Sequence, residues 1–220
     1  MSLQFIMGNS GSGKSYCLYD TVVREAIENP DKNYLVIVPE QFTMQTQKDL
    51  CLAHPKGGIM NIDVLSFGRL AYRVFEEVGQ DARVVLDDEG KNLVLRKIAG
   101  ECEKDLKVFK GNLKKQGYIS EVKSVLSEFA QYGVDFERLD DFMKEVPPES
   151  YLHYKLDDIR TIYEKFEEYL SEKYITKEEM LDVLSDAVPY SDILKGSVVA
   201  MDGFTGFTPV QNRLIGELFS

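Results

Sequence analysis

Four short apolar runs stand out along the chain: Leu3 to Met7, Tyr34 to Val38, Asn61 to Leu65 and Ser197 to Met201. They look like strands buried on both faces of a parallel sheet rather than alternating edge strands. Polar or glycine-rich sequence follows each run. Between the first two, helical periodicity covers Lys14 to Glu28 and stops at Asn29 and Pro30; a second helix is predicted around Thr43 to Ala53. Strand and helix therefore alternate, the pattern of an α/β sheet with right-handed crossovers.

The pattern changes near Arg83. From there to Lys195 the sequence consists of long amphipathic segments rich in Glu, Lys and Leu, with no run that reads as a strand. Helices are predicted over Asp87 to Lys104, Ile119 to Tyr132, Phe136 to Lys144, Tyr151 to Lys173 and Lys177 to Ala187, with Pro147, Pro148 and Pro189 as breaks. After Gly196 the strand, loop and helix signals return. The expected organisation is an α/β core over 1–82 and 197–220, interrupted by an all-helical insertion at 83–196. A core of this kind that stops after one more helix suggests a piece of a longer protein.

Charge and composition limit what such a chain can do. The formal net charge of −11 has the wrong sign for a protein that coats nucleic acid, so any DNA contact has to be local. The insertion, with 18 basic and 25 acidic residues, holds most of the acidity, as a solvated helical surface does. One stretch is locally basic: Lys104, Lys107, Lys110, Lys114, Lys115 and Lys123, with Phe109 and Tyr118 interleaved. Cys17, Cys51 and Cys102 lie far apart, and only His54 and His153 could join them in a metal site, so they read as reduced cytoplasmic thiols. No run approaches the roughly 18 apolar residues of a membrane span, and none resembles a signal peptide.

One segment carries specific chemistry. Gly8-Asn9-Ser10-Gly11-Ser12-Gly13-Lys14-Ser15 fits G-x-x-x-x-G-K-[ST] and sits between a predicted strand and a helix amino terminus. There, glycines let successive backbone N–H groups turn toward phosphate oxygens, and the helix dipole adds favourable potential. Lys14 is expected to reach the β and γ phosphates of a purine nucleoside triphosphate, and Ser15 to ligate Mg²⁺. Nucleotide hydrolases of this class place an acid for the Mg²⁺ shell at the end of another strand, often followed by a water-activating glutamate. Asp202 fills the first position, but Gly203 stands at the second.

Ligands of open parallel sheets bind at the carboxyl ends of the strands. Besides the glycine loop, those ends carry Gln41, Phe42 and Thr43, then Ser66 and Phe67, then Asp202-Gly203-Phe204. Hydroxyls and aromatic rings beside a phosphate cradle suggest that Phe42, Thr43, Ser66 and Phe67 touch a second, extended ligand, although each taken singly more often packs a core or caps a helix.

Taken together, the glycine loop, VPEQFTMQTQ, VLSFGRLAYRVF, the helical insertion and MDGFTGFTPVQ resemble the amino-terminal region of AddB/RexB, the B subunit of bacterial ATP-dependent helicase/nuclease. The likeness spans nearly the whole chain. It implies a RecA-like P-loop NTPase fold with worn superfamily 1 helicase motifs. VPEQFTMQTQ resembles motif Ia and VLSFGRL the Ser-Phe motif that follows it, both of which face single-stranded DNA in working helicases. The resemblance thus implies Gln41, Phe42, Thr43, Ser66 and Phe67 as candidate DNA contacts. DGFTGFTPVQ resembles the pattern D-E-F-Q-D-x-x-x-x-Q with Asp202, Phe204 and Gln211 in register. Gly203 departs from that pattern, as does the lack of an adenine-contacting Gln motif before Leu3. The resemblance further implies a heterodimer with an AddA-type subunit that processes double-strand DNA ends for repair, and, in the intact protein, a nuclease domain and an iron–sulfur cluster that no cysteine here matches. ATP binding with weak or absent hydrolysis is the expected activity. A free-standing P-loop ATPase or kinase, and an interaction scaffold with a vestigial P-loop, are the alternatives.

Overall fold

A computed structural model describes residues 3–79, 83–113, 115–171 and 173–219. The chain forms two compact units: 1–81 with 181–207 and 211–220, and 82–180 with 208–210.

The first unit is built on a parallel sheet of three strands in the order β2-β1-β5: β1 at Tyr34–Ile37, β2 at Ile62–Leu65 and β5 at Val198–Met201. Tyr34 lies opposite Ile62 on one side and Val198 on the other, and Ile37 opposite Leu65 and Met201, so all three strands end at one level. Every residue of β1 is buried, which explains its unbroken apolar run. Helix α1 (Lys14–Glu28) and helix α2 (Thr43–Ala53) supply Val22, Val23, Ala26 and Leu50 to a core with Tyr34, Val36, Val38, Ile62 and Ala200.

The strand predicted at Leu3 to Met7 is not found. These residues pair with no strand among those described, and Leu3, Phe5 and Met7 are exposed. Apolar composition gives strand propensity, but only pairing and burial turn propensity into a strand. In contrast, VLSFGRLAYRVF contains helix α3, Phe67–Val78, capped at its start by Ser66 Oγ, which accepts from the Arg69 N–H.

Residues 181–196, assigned by sequence to the insertion, group with the sheet unit. Two staples account for this. The Glu77 carboxylate accepts from the Ser191 hydroxyl at 2.5 Å and the Ile193 N–H at 2.7 Å. Arg213 donates to Asp182 at 2.7 Å and to Asp186 at 2.6 Å.

The second unit is mainly helical: α4 (Asp88–Cys102), α5 (Gln116–Tyr132), α6 (Phe136–Glu145) and α7 (Tyr151–Leu170). It is not all-helical. β3 (Val84–Leu86) and β4 (Tyr174–Thr176) form a parallel pair that the sequence pattern does not reveal, because three residues are too few to show a period. Helix α8 (Glu179–Ala187) begins with a capping box: Thr176 Oγ1 accepts from the Glu179 N–H, and the Glu179 carboxylate accepts from the Thr176 N–H. The core joins Leu95, Ile98, Val122, Leu126, Ile162 and Phe166.

Buried charge organises this unit. Asp158, 1 % exposed, accepts three backbone N–H bonds from Lys107, Val108 and Phe109 at 2.7–2.8 Å, which holds the chain after α4 in its irregular course. Lys91, 3 % exposed, donates to Glu178 at 2.6 Å and to Ser127 at 3.2 Å. These groups border a cavity of about 20 Å³, which Lys123, Tyr163, Glu167 and Glu179 also line.

Burial, followed by the nearby Glu179 charge, raises the Glu167 carboxyl from 4.5 to about 7. A raised folded-state value means that the protonated form fits and the ionised form does not. The contribution is therefore complete below about pH 4.5 and lost as pH rises through about 7. Glu167→Gln is expected to melt higher than the parent at pH 8 and together with it near pH 4.5, as read by thermal unfolding across that range.

Candidate nucleotide-binding site

The glycine loop curls around its own lysine. Lys14 Nζ donates to the Gly8 carbonyl at 2.9 Å and the Asn9 carbonyl at 2.8 Å, and the Ser12 N–H closes a turn onto the Asn9 carbonyl at 3.2 Å. Gly11 and Gly13 hold φ of 74° and 83°, left-handed values that side-chain-bearing residues rarely adopt. A Cβ on Gly8 would collide with Ser12 Oγ. Asn9, Ser10, Ser12 and Ser15 are exposed, and Lys14 is half-buried.

Gly13 is the cap residue of α1, and it offers no side chain to the first N–H groups; nor does the first turn contain an acid. The amino-terminal N–H groups of a helix lack intrahelical partners, so this end presents donors and positive potential to an anion. The loop therefore fits the phosphates of a nucleotide by donor type and sign.

Asp202 reaches the same helix. Its N–H donates to the Ile37 carbonyl at 3.1 Å, which extends the β1–β5 ladder by one residue and fixes the carboxylate at the strand's end. Its Oδ2 accepts from the Tyr19 hydroxyl at 2.8 Å. Tyr19 stands four residues after Ser15, on the same face of α1 one turn along. The Tyr19 hydroxyl also lies 3.2 Å from Thr46 Oγ1 on α2. Burial above all raises this phenol to about 12; the Thr46 bond opposes the rise and Asp202 adds to it. A serine hydroxyl and a carboxylate are hard oxygen donors suited to Mg²⁺, which keeps several waters and takes few protein ligands. No group of three or more His, Cys, Asp or Glu side chains that could hold a metal occurs among the described residues. Tyr19 carries no motif, its spacing from Ser15 being its trace in the sequence, and Thr46 lies within VPEQFTMQTQ, where no pattern singles it out.

The family model described as "ADDB, N-terminal" matches residues 5–220. The chain belongs to the ADDB family. It is 49 % identical over 218 residues to the B subunit of the ATP-dependent helicase/deoxyribonuclease of Lachnoclostridium phytofermentans, covering 99 % of this chain. Proteins of the same description from Alkaliphilus metalliredigens and Clostridium tetani are 36 % and 37 % identical over 218 and 220 residues, again covering 99 % of this chain. The chain spans 19 % of the length of each of these relatives.

Within this ADDB region the nominated DNA contacts divide. Gln41 is exposed and Phe42 is 45 % exposed. Thr43 is buried, its hydroxyl donating to the Glu40 carbonyl; Ser66 is buried as the cap of α3. Phe67 is buried against Phe204, with ring centroids 5.4 Å apart, and Phe207 adds a third ring 5.0 Å from Phe204.

Three of the six lysines in the lysine-rich stretch are engaged within their own unit. Lys107 pairs with Asp157 at 2.8 Å, Lys123 with Asp88 at 3.5 Å, and Lys115 with Asn112 at 3.2 Å, while Phe109 is buried against Tyr118. Lys104 and Lys110 are exposed, and Lys114 lies outside the described residues. As for the thiols, Cys17 is exposed, Cys51 half-buried and Cys102 buried. No helix among the described residues is long and apolar enough to cross a membrane.

Gly203 has φ 78°, and a Cβ there would sit 3.4 Å from Phe42 Cδ2 and 3.5 Å from Pro39 Cδ. A side chain at this place strains the backbone whatever its chemistry. Gly203→Ala is expected to cost about 1–2 kcal/mol, and Gly203→Glu at least as much, with a lower melting midpoint in both; midpoints equal to the parent's would show that the turn accepts a side chain freely.

Proposed function

We propose that this chain is the ATP-binding, RecA-like amino-terminal region of the B subunit of a helicase/nuclease. In this reading it works beside an AddA-type subunit in the cytoplasm, on double-strand DNA ends destined for recombinational repair. The observation that carries the nucleotide assignment is the Tyr19–Asp202 hydrogen bond, which brings the strand-end carboxylate to the helix that begins in the glycine loop. The names of the relatives support the assembly and its DNA substrate.

The loop N–H groups and Lys14 bind the phosphates, and Ser15 and Asp202 hold Mg²⁺ with its waters. The metal supplies charge neutralisation between the phosphates. Hydrolysis is weak or absent because Gly203 has no carboxylate to orient a water. Lys14 must exchange its two carbonyl partners for phosphate oxygens, so its present bonds hold it at the site and oppose binding by a modest amount. The RecA-like core at 1–82 and 197–220, with the insertion between, positions Gln41 and Phe42 at the strand ends as the exposed contacts to single-stranded DNA. That contact is local in a chain of net charge −11.

Two measurements test this reading. Lys14→Ala removes charge-assisted bonds worth about 1.5–3 kcal/mol, a loss of roughly ten- to hundredfold in affinity for a non-hydrolysable ATP analogue, and Asp202→Ala is expected to weaken only the Mg²⁺-dependent part. Calorimetry reads both effects, and a phosphate-release assay should find little turnover in the parent; melting that ignores nucleotide would instead favour a scaffold with a vestigial loop. Single-stranded DNA is expected to bind this chain weakly and to dissociate steeply between about 50 and 200 mM salt, as followed by fluorescence anisotropy; tight, salt-resistant binding would overturn that expectation.

A further inference from the structure

The Tyr19 hydroxyl has one proton and two oxygen neighbours. Because it donates that proton to Asp202 Oδ2, the Thr46 hydroxyl has to be the donor in the second contact. The three groups form one directed chain, from Thr46 on α2 through Tyr19 on α1 to Asp202 at the end of β5. Thr46 is 3 % exposed and Tyr19 half-buried, so water competes little for these bonds. Donor chains of this kind polarise one another. At the far end Asp202 is half-buried, and among the described residues its Oδ1 accepts no hydrogen bond. One carboxylate oxygen is therefore fixed while the other is open.

A second contact joins the same two elements. Gly203 directly follows Asp202 and approaches the Phe42 ring, and Phe42 immediately precedes α2. The chain just after β5 thus lies near the start of α2 in two ways, through the hydrogen-bonded chain from Asp202 and through Gly203, where a Cβ would come within 3.4 Å of the Phe42 ring.

We propose that Tyr19 is a positioning residue that aims Asp202 Oδ1 at the metal of a bound nucleotide, and that Thr46 transmits the fixing of this carboxylate to α2 and so to the exposed Phe42. This inference rests on the nucleotide reading above and adds to it a route by which occupancy of the phosphate cradle alters the segment Gln41–Thr43. Tyr19 touches neither phosphate nor metal; it acts through Asp202.

The test uses the full chain and its Tyr19→Phe and Thr46→Val variants. Calorimetry measures affinity for a non-hydrolysable ATP analogue with and without Mg²⁺, and amide hydrogen exchange is followed across residues 43–53. Tyr19→Phe is expected to lose roughly tenfold in the Mg²⁺-dependent part of the affinity, in line with other residues that orient metal ligands, and to leave metal-free binding unchanged. A general loosening of the fold would lower both. In the parent, Mg²⁺-nucleotide is expected to slow exchange at the start of α2, and in Tyr19→Phe this slowing is expected to vanish. Thr46→Val leaves the Tyr19–Asp202 bond in place, so it is expected to retain Mg²⁺-dependent affinity and lose the exchange response; it carries the test if Tyr19→Phe fails to fold. A parent that binds Mg²⁺-nucleotide beside variants with unchanged affinity and unchanged exchange overturns this inference alone. A parent that binds no nucleotide overturns both this inference and the reading on which it rests.

Discussion

Complete burial of β1 is the constraint on which the first unit depends. Tyr34, Leu35, Val36 and Ile37 expose no more than 1 % of their surface, so this strand needs a neighbour on each side and a covering on each face. Parallel neighbours satisfy the backbone, but a parallel connection cannot be a tight turn and has to cross over through further chain. Crossovers return each strand in the same direction, so their carboxyl ends align, as the register of Ile37 with Leu65 and Met201 makes explicit. The convergence of Glu40–Thr43, Ser66–Phe67 and Asp202–Phe204 on one edge follows from how a buried strand must be paired, whichever ligand that edge takes.

The elements most legible in the sequence are those whose local signal and tertiary role agree. Lys14–Glu28 and Thr43–Ala53 match α1 and α2 end to end, because Asn29 and Pro30 stop the first and His54-Pro55 the second. Leu3 to Met7 has as strong an apolar signal as β1 but lacks a pairing partner, and pairing is invisible to a composition window. The β3–β4 pair fails for the opposite reason: its strands are short, and registered partners such as Val84 and Tyr174 are remote in sequence yet adjacent in space. Of the site, the glycine loop is legible because its spacing is itself the mechanism. Tyr19 and Thr46 are not, since tyrosine and threonine within helices form ordinary packing in most places, and only the folded chain brings both beside Asp202.

The acidity of the second unit has a partly internal explanation. A surface of solvated acids would leave its lysines free for an anionic partner, but several pair at home: Lys91 with Glu178 in the interior, Lys107 with Asp157, and Lys155 with Glu121. Asp158 is held by backbone donors rather than by a cation. Surface pairs contribute little to stability, whereas breaking a buried pair by removing one partner leaves an uncompensated charge and costs several kcal/mol. Two lysines of the stretch that looks basic in one dimension, Lys107 and Lys123, thus face carboxylates in three, which weakens its case as a nucleic-acid surface.

Gly203 stands where the resemblance to helicase motifs leads one to expect a glutamate, which would invite an explanation by loss. The geometry supplies a different one. A left-handed residue lets the chain turn immediately after Asp202, and the absence of a side chain lets Phe42 lie against the turn. Both features bring β5 and the start of α2 into contact, next to the hydroxyl chain that joins Asp202 to the same helix. A glutamate would disturb that junction before it could act on water. In the function proposed here, Gly203 therefore gives up a carboxylate that could act on water and keeps a turn that sets Asp202 close to Phe42 at the sheet's edge.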